Sequence, residues 1–139
     1  MPSVLHLFRA PRRGLPMAEV GEIQAIEDLG FEACAHARAG SARQVLLMDM
    51  ETLDALLLTP GIVRESITTE GLNVHGLQAG QRLCIEQVIL EVTVPCTPCS
   101  QMEKIRAGLR KEIRGRRGML CRVLRGGLIR RGAPIEKLT

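Results

Sequence analysis

The sequence has almost no aromatic residues: Phe8 and Phe31 are its two phenylalanines among 139 residues, and it has no tryptophan or tyrosine. Proteins that bind single-stranded nucleic acid stack the bases on aromatic side chains, so this composition does not favour nucleic acid as a partner. A chain of this length can bury a core without disulfide or metal support. We therefore expect one domain over residues 1–139 with an aliphatic core.

The sequence also lacks long apolar runs, and none approaches the ~20 residues of a membrane-spanning helix. Its first residues do not resemble a secretory signal. The five cysteines are an odd set without a regular disulfide framework: Cys34, Cys84, Cys96, Cys99 and Cys121. We expect free thiols, a cytoplasmic location and no membrane partner.

Two common binding motifs are missing. The glycines form neither a GxGxxG nor a Walker pattern, which argues against a nucleotide-binding loop. Cys96 and Cys99 have CxxC spacing, but no second pair follows them, and His6, His36 and His75 are scattered. A structural zinc site needs four such ligands, so we do not expect one.

Frequent glycines separate short apolar segments, and this rhythm is typical of a mainly β protein, either a barrel or a sandwich. Two segments instead have helical spacing: residues 49–58, with Asp49 as N-cap, and residues 100–113, where Ser100 and Glu103 form a capping-box pattern. The predicted strands cover residues 4–9, 20–26, 43–48, 82–86, 88–94, 119–125 and 128–130.

Positive charge is concentrated in the second half of the chain. Residues 1–70 contain 6 basic and 10 acidic side chains, whereas residues 71–139 contain 13 basic and 5 acidic ones. Between residues 104 and 131 the only acidic residue is Glu112. This local bias indicates either an anionic ligand or surface, or a basic face exposed to solvent.

The pair Cys96 and Cys99 is the strongest candidate for chemistry. If the second helix begins at Ser100, Cys99 lies directly before a helix N-terminus, where free N–H groups and the helix dipole favour the reactive thiolate. The pair fits a redox dithiol, and a single thiol fits a sulfur carrier or a ligand of a soft metal such as molybdenum. Cys96 also fits a small buried hydrophobic residue.

Five blocks of the sequence, all between residues 36 and 135, resemble the MOSC family, the domain found at the C-terminus of molybdenum cofactor sulfurases. The order and the spacing of the blocks carry the resemblance. Where relatives have a Glu-Asn pair, this chain has Glu65 and Ser66. In chain order the blocks are RQVLL at 43–47, PGIVRESITTEGL at 60–72, LQAGQRL at 77–83, PCTPC at 95–99 and RGMLCRVLRGG at 117–127.

The resemblance implies a MOSC-type β-barrel with a few short helices, similar to the β-barrel domain of pyruvate kinase. It implies binding of the molybdenum cofactor, molybdopterin, or carriage of sulfur as a persulfide. Cys99 matches the family's PC cysteine and is our candidate for the persulfide and for the molybdenum-facing thiol, with Cys96 beside it. The partner would be a sulfur-donor or redox protein, since we find no pyridoxal phosphate site in the chain.

Further side chains complete the predicted site. His36 is a candidate for orienting a ligand or moving a proton, although lone histidines are often structural. Arginines hold phosphate in bidentate fashion, but also form ordinary surface ion pairs. The predicted cofactor-binding residues are Arg43, Gln44, Arg64, Glu65, Arg117 and Arg122.

The function stays open at this stage. A sulfurtransferase-type activity and a role in a molybdenum-dependent oxidoreductase both fit the resemblance, and the sequence does not decide whether the chain is an enzyme. The alternatives are a β-barrel that binds phosphate groups or nucleic acid, and a redox protein that uses the cysteine pair.

Overall fold

The computed structural model describes residues 1–138, which fold mainly into β-strands. The helices are short: α1 (Met50–Ala55), α2 (Gln101–Ile105), α3 (Leu109–Glu112) and a 3-10 turn (Val74–Gly76). The strands are β1 (Ser3–Arg9), β2 (Ala18–Val20), β3 (Glu22–Ile26), β4 (Gly30–Phe31), β5 (Val45–Asp49), β6 (Ile67–Glu70), β7 (Arg82–Ile85), β8 (Val88–Pro95), β9 (Met119–Arg125), β10 (Gly127–Arg130) and β11 (Ile135–Leu138).

The strands form two sheets. The larger sheet has the order β11-β7-β8-β9-β5-β6-β1-β2 and the smaller one the order β10-β3-β4. The β5–β6 pair is parallel, and the other pairs in these sheets are antiparallel. A single bridge between Ser3 and Pro134 joins β1 to the segment before β11, and the sheets are not closed into a barrel. The prediction of a mainly β fold with a few short helices is confirmed.

The chain passes from the larger sheet to the smaller one at two glycines. Only Gly126 separates β9 from β10, and a Cβ atom there would lie 2.6 Å from the carbonyl oxygen of Ala25. Gly127 has a φ of +155°, a conformation that other residues rarely adopt. Glycine at both positions lets one continuous ribbon belong to both sheets.

Alternating side chains build the core, as in β8, where every second residue from Val88 to Val92 is buried. The main cluster of buried apolar side chains comes from both sheets. A second cluster packs α1 against α2 and α3 through Leu53, Met102 and Leu109. A third and smaller one contains Leu46, Cys96 and Leu120.

The seven predicted strands are all present: β9 has the predicted ends, and the others have shifted ends. The predicted strand over residues 20–26 is part of two strands, which Gly21 separates. β5 begins at Val45, so Arg43 and Gln44 precede the strand instead of opening it. Three strands were not predicted from the sequence: β4, β6 and β11.

Helix α1 confirms the predicted N-cap. The Asp49 carboxylate accepts hydrogen bonds from the Thr52 backbone N–H at 3.1 Å and from the Thr52 hydroxyl at 2.8 Å. The helix ends at Ala55, three residues before the predicted end. No helix within residues 1–138 is long and apolar enough to cross a membrane.

The predicted helix over residues 100–113 and its capping box are wrong. The chain forms α2 and α3 with a break over residues 106–108, where Arg106 is extended and Gly108 has a φ of +85°, which no right-handed helix contains. Ser100 makes no side-chain capping bond. The Glu103 carboxylate instead accepts hydrogen bonds from the backbone N–H groups of Gly108 at 3.0 Å and Arg110 at 2.9 Å, which tie the two short helices together.

Candidate functional site

A cavity of about 360 Å³ opens between segments that are distant in sequence. Its charged lining is cationic, and no aspartate or glutamate among residues 1–138 lines it. His36, Gln44, Ser66 and Cys96 also line it. The arginines that line it are Arg13, Arg38, Arg43, Arg64 and Arg117. Five guanidinium groups around one cavity give it a strongly positive potential.

Arg117 is the most buried of these arginines, with 7% of its surface exposed. Its Nε and Nη1 atoms are fully buried and have no hydrogen-bond partner. Buried N–H groups without acceptors destabilise the folded protein, because their lost hydration is not replaced by hydrogen bonds. The positive charge of Arg117 acts to lower the pKa of the buried Glu65 carboxylate, but neither of these two N–H groups has an acceptor. An anion in the cavity that accepted hydrogen bonds from these two N–H groups would remove the destabilisation. The arrangement is therefore suited to an anionic ligand.

Arg64 connects the cavity to the loop after β1. Its Nη1 donates a hydrogen bond of 2.6 Å to the carbonyl oxygen of Leu15. Its backbone has a φ of +66°, a left-handed conformation that costs a non-glycine residue about 1 kcal/mol or more. The contact holds the wall of the cavity close to the loop that carries Arg13.

His36 is the titratable group in the cavity that is not an arginine or a thiol. Burial lowers the pKa of His36 from its ordinary value of 6.5, and the positive charges of Arg64, Arg13 and Arg117 lower it further. The imidazole is therefore neutral near neutral pH, and it can donate one hydrogen bond and accept another.

Cys96 brings a thiol to the cavity. Its side chain is 8% exposed and packs with Leu46 and Leu120, and its backbone N–H donates a 2.9 Å hydrogen bond to the Gly118 carbonyl. Cys99, three residues later, is exposed and is not part of the lining. The thiol can coordinate a soft metal, and the arginines beside it can bind an anion.

The comparison with protein families agrees with the blocks in the sequence. The MOSC domain model matches residues 35–136, which make up most of the chain and contain His36, Cys96 and Arg117. This chain belongs to the MOSC family. The resemblance found in the sequence is thereby confirmed.

This MOSC protein shares its fold with several solved structures. The YuaD protein from Bacillus subtilis has a TM-score of 0.87 at 18% identity, over 97% of this chain and 94% of that one. YiiM from Geobacillus stearothermophilus has a TM-score of 0.82 at 19% identity, over 100% and 76%. YiiM from Escherichia coli has a TM-score of 0.74 at 19% identity, over 100% and 70%. No curated protein sequence matches the chain significantly.

Several of the predicted site residues of this MOSC protein meet in the cavity, and Gln44 is one of them. Its polar atoms are engaged within the protein: the amide nitrogen donates to the Arg38 carbonyl at 3.1 Å, and the amide oxygen accepts from the Val123 N–H at 2.9 Å. Gln44 therefore supports the wall of the cavity. The predicted residues in the lining are His36, Arg43, Gln44, Arg64, Cys96 and Arg117.

Glu65, Arg122 and Cys99 do not line the cavity. The Glu65 carboxylate accepts hydrogen bonds from the Gly61 N–H at 3.0 Å and the Thr68 hydroxyl at 2.9 Å, and burial raises the pKa of Glu65. Arg122 lies 3.8 Å from the carboxylate of Asp28. Glu65 and Arg122 thus have partners within the protein, and the roles predicted for these three residues stay predictions.

The sequence analysis missed Arg13, Arg38 and Ser66. Arg38 lies two residues after His36, and that proximity was an available signal. Ser66, which stands where relatives have asparagine, accepts a 3.0 Å hydrogen bond from the Leu46 N–H through its hydroxyl. No three histidine, cysteine, aspartate or glutamate side chains within residues 1–138 come together as a metal-binding group.

Proposed function

We propose that this MOSC protein binds the molybdenum cofactor, with the phosphate of the pterin held by the arginines of the cavity. The observation that carries the proposal is Arg117, a buried guanidinium with two N–H groups that have no partner. Arg43 and Arg64, which also line the cavity, would share the negative charge. A phosphate provides enough acceptor oxygens for all three.

The residues of the cavity fit such a ligand in charge and in chemistry. The lining has no carboxylate that would repel a phosphate, and the Cys96 sulfur is a ligand type that suits molybdenum. His36, held neutral by burial and by neighbouring arginines, is suited to hydrogen bonding with a polar part of the pterin. The molybdenum cofactor, when bound, supplies a metal centre for oxygen-atom or sulfur transfer.

The two thiols divide into one inside the cavity and one outside it. We propose Cys96 as the thiol that faces the bound group, because its side chain shares the lining with Arg117. Cys99 is exposed and therefore accessible to another protein, as a persulfide carrier must be. Sulfur carriage on Cys99 would require a separate sulfur-donor protein, and a redox reaction would require an electron-donor protein.

The test is to purify the protein from a host that makes the molybdenum cofactor and to measure bound molybdenum and pterin. We expect wild type to retain both, and Arg117→Met to lose most of both. Arg130→Met is the matched control, because Arg130 is exposed on β10. If wild type carries neither molybdenum nor pterin, or if Arg117→Met carries as much as wild type, the proposal is wrong.

The thiols are compared in the same preparation through Cys96→Ser and Cys99→Ser. Loss of molybdenum in Cys96→Ser alone would support the thiol inside the cavity. Loss in Cys99→Ser alone would support the sequence-based prediction instead. Intact mass reports a persulfide as an added sulfur atom, which we expect to be absent from Cys99→Ser.

A further inference from the structure

His75 lies behind the cavity and has no part in its lining. It is in the 3-10 turn after β6, and its Nε2 accepts a hydrogen bond of 2.9 Å from the backbone N–H of Gly118. That N–H belongs to the peptide that directly follows Arg117. A side chain distant in sequence thus holds the backbone next to the buried arginine.

This hydrogen bond fixes the tautomer of the ring. Because Nε2 accepts the hydrogen bond from the Gly118 N–H, the proton of the neutral imidazole is on Nδ1. Nδ1 lies 3.6 Å from Oδ1 of Asp49, and this buried oxygen has no hydrogen-bond partner. The other carboxylate oxygen of Asp49 caps helix α1. Asp49 therefore stands at the end of a rigid strand and faces the protonated side of the ring.

The backbone that His75 holds has little freedom. Gly118 has a φ of +104°, and a Cβ atom there would collide with the carbonyl oxygen of Leu47. Its own carbonyl accepts the hydrogen bond from the Cys96 N–H. One glycine thus connects His75 on one side to the cavity thiol on the other, and it directly follows Arg117.

We infer that His75, oriented by Asp49, is a positioning residue for Arg117, and that protonation of His75 weakens anion binding in the cavity. A protonated Nε2 is a donor and cannot accept from the Gly118 N–H, so the peptide after Arg117 loses its support. The inference rests on the proposed function, because it concerns the same anion site.

The charged groups near the ring come from strand β5 and from the segment between α3 and β9. Burial lowers the pKa of His75 most, and the charge of Arg116 lowers it too, whereas Asp49 on β5 and a backbone contact with Arg116 raise it. The net direction is downward from 6.5, so the ring is neutral near neutral pH and protonates only in more acidic solution. The weakening of anion binding is therefore expected on acidification.

His36 would have the opposite effect, because its protonation adds a positive charge inside the cavity. The experiment therefore starts from His36→Gln, in which this contribution is removed. Sulfate is the probe, because its charge stays constant between about pH 5 and pH 8, where histidines titrate. Its dissociation constant is measured by titration calorimetry at constant ionic strength in His36→Gln and in His36→Gln/His75→Gln.

Glutamine at position 75 offers an acceptor oxygen to Gly118 but does not titrate. We expect sulfate affinity in His36→Gln to fall about tenfold from near neutral pH to about pH 5, and in the double variant to stay nearly constant. The same fall in both proteins overturns the inference. Absence of sulfate binding, or binding that Arg117→Met leaves unchanged, overturns the proposed function and the inference with it.

A second measurement needs no substitution at position 75. In the unaltered protein near neutral pH, nitrogen NMR of the His75 ring should show Nδ1 protonated and Nε2 as an unprotonated acceptor. On acidification, protonation of Nε2 should occur together with a change in the Gly118 amide signal. A ring that carries its proton on Nε2 at neutral pH contradicts the inference.

Discussion

At the scale of single residues, Arg117 shows how the site conflicts with stability. Its two buried N–H groups have no acceptor when no anion is present, and this destabilises the folded protein. Arg117→Met removes these two unsatisfied groups, but it also removes the positive charge that acts on the buried Glu65 carboxylate.

Because these two effects have opposite signs, we expect Arg117→Met to change the unfolding free energy by no more than about 1 kcal/mol in the absence of anions. Urea denaturation measures this. Addition of low millimolar sulfate should stabilise wild type and the control Arg130→Met, but not Arg117→Met. A large loss of stability in Arg117→Met without sulfate would mean that Arg117 has a structural role.

The sequence could indicate some residues of the site and not others. The MOSC resemblance pointed to Arg43, Arg64 and Arg117, because these lie within recognisable blocks. Arg13 reaches the cavity only because the loop after β1 is held against Arg64 through the Leu15 carbonyl. Such a contact joins residues 49 positions apart, and no local pattern encodes it.

At the scale of elements, the segment between β8 and β9 shows where local patterns mislead. Its apolar residues have helical spacing, yet Gly108 divides it into two short helices. A glycine inside a helical pattern lowers the expectation of a helix, but the prediction relied on the spacing of the apolar residues alone. The strands β6 and β11 were missed for another reason: each has four residues, and each is fixed by pairing with strands that other elements separate from it along the chain.

Gly108→Ala tests the break between α2 and α3. Alanine at a φ of +85° is strained, so we expect the variant to unfold with about 1 kcal/mol less free energy than wild type. The control is Gly21→Ala, at a position with open space and no left-handed backbone, where we expect almost no loss. Equal effects of the two substitutions in thermal or urea unfolding would mean that residues 101–112 can form a continuous helix.

At the scale of the whole molecule, charge is distributed unevenly. The acids of the segment between Cys96 and Arg117 are used internally: Glu103 binds backbone N–H groups and Glu112 pairs with Arg106 at 3.2 Å. The remaining basic side chains of this segment are exposed, and they follow Cys99 in the sequence. A positive field of this kind accelerates the approach of anions and weakens as salt is added.

The reaction of Cys99 with thiol reagents measures that field. In a Cys84→Ser background, which removes the half-exposed thiol, a doubly anionic aromatic disulfide should react several-fold faster than a neutral one of similar size. We expect the ratio of the two rates to fall with added salt and in Lys104→Glu/Lys111→Glu.

The matched control for this prediction is Arg130→Glu/Lys137→Glu, which changes the net charge equally but on β10 and β11. Its rate ratio should stay close to that of the background protein at moderate salt, because charges beyond about 10 Å are screened. If both double variants lower the ratio to the same extent, net charge and not its position governs the approach of anions.

The shared ribbon of β9 and β10 has a consequence for the way the protein unfolds. Because Gly126 is the only residue between the two strands, any opening of the smaller sheet pulls directly on the strand that pairs with both β5 and β8. The same ribbon begins next to Arg117 and Gly118. The cavity is therefore anchored to the part of the molecule in which both sheets have to open together, so we expect a ligand bound in it to slow the unfolding of the two sheets at once.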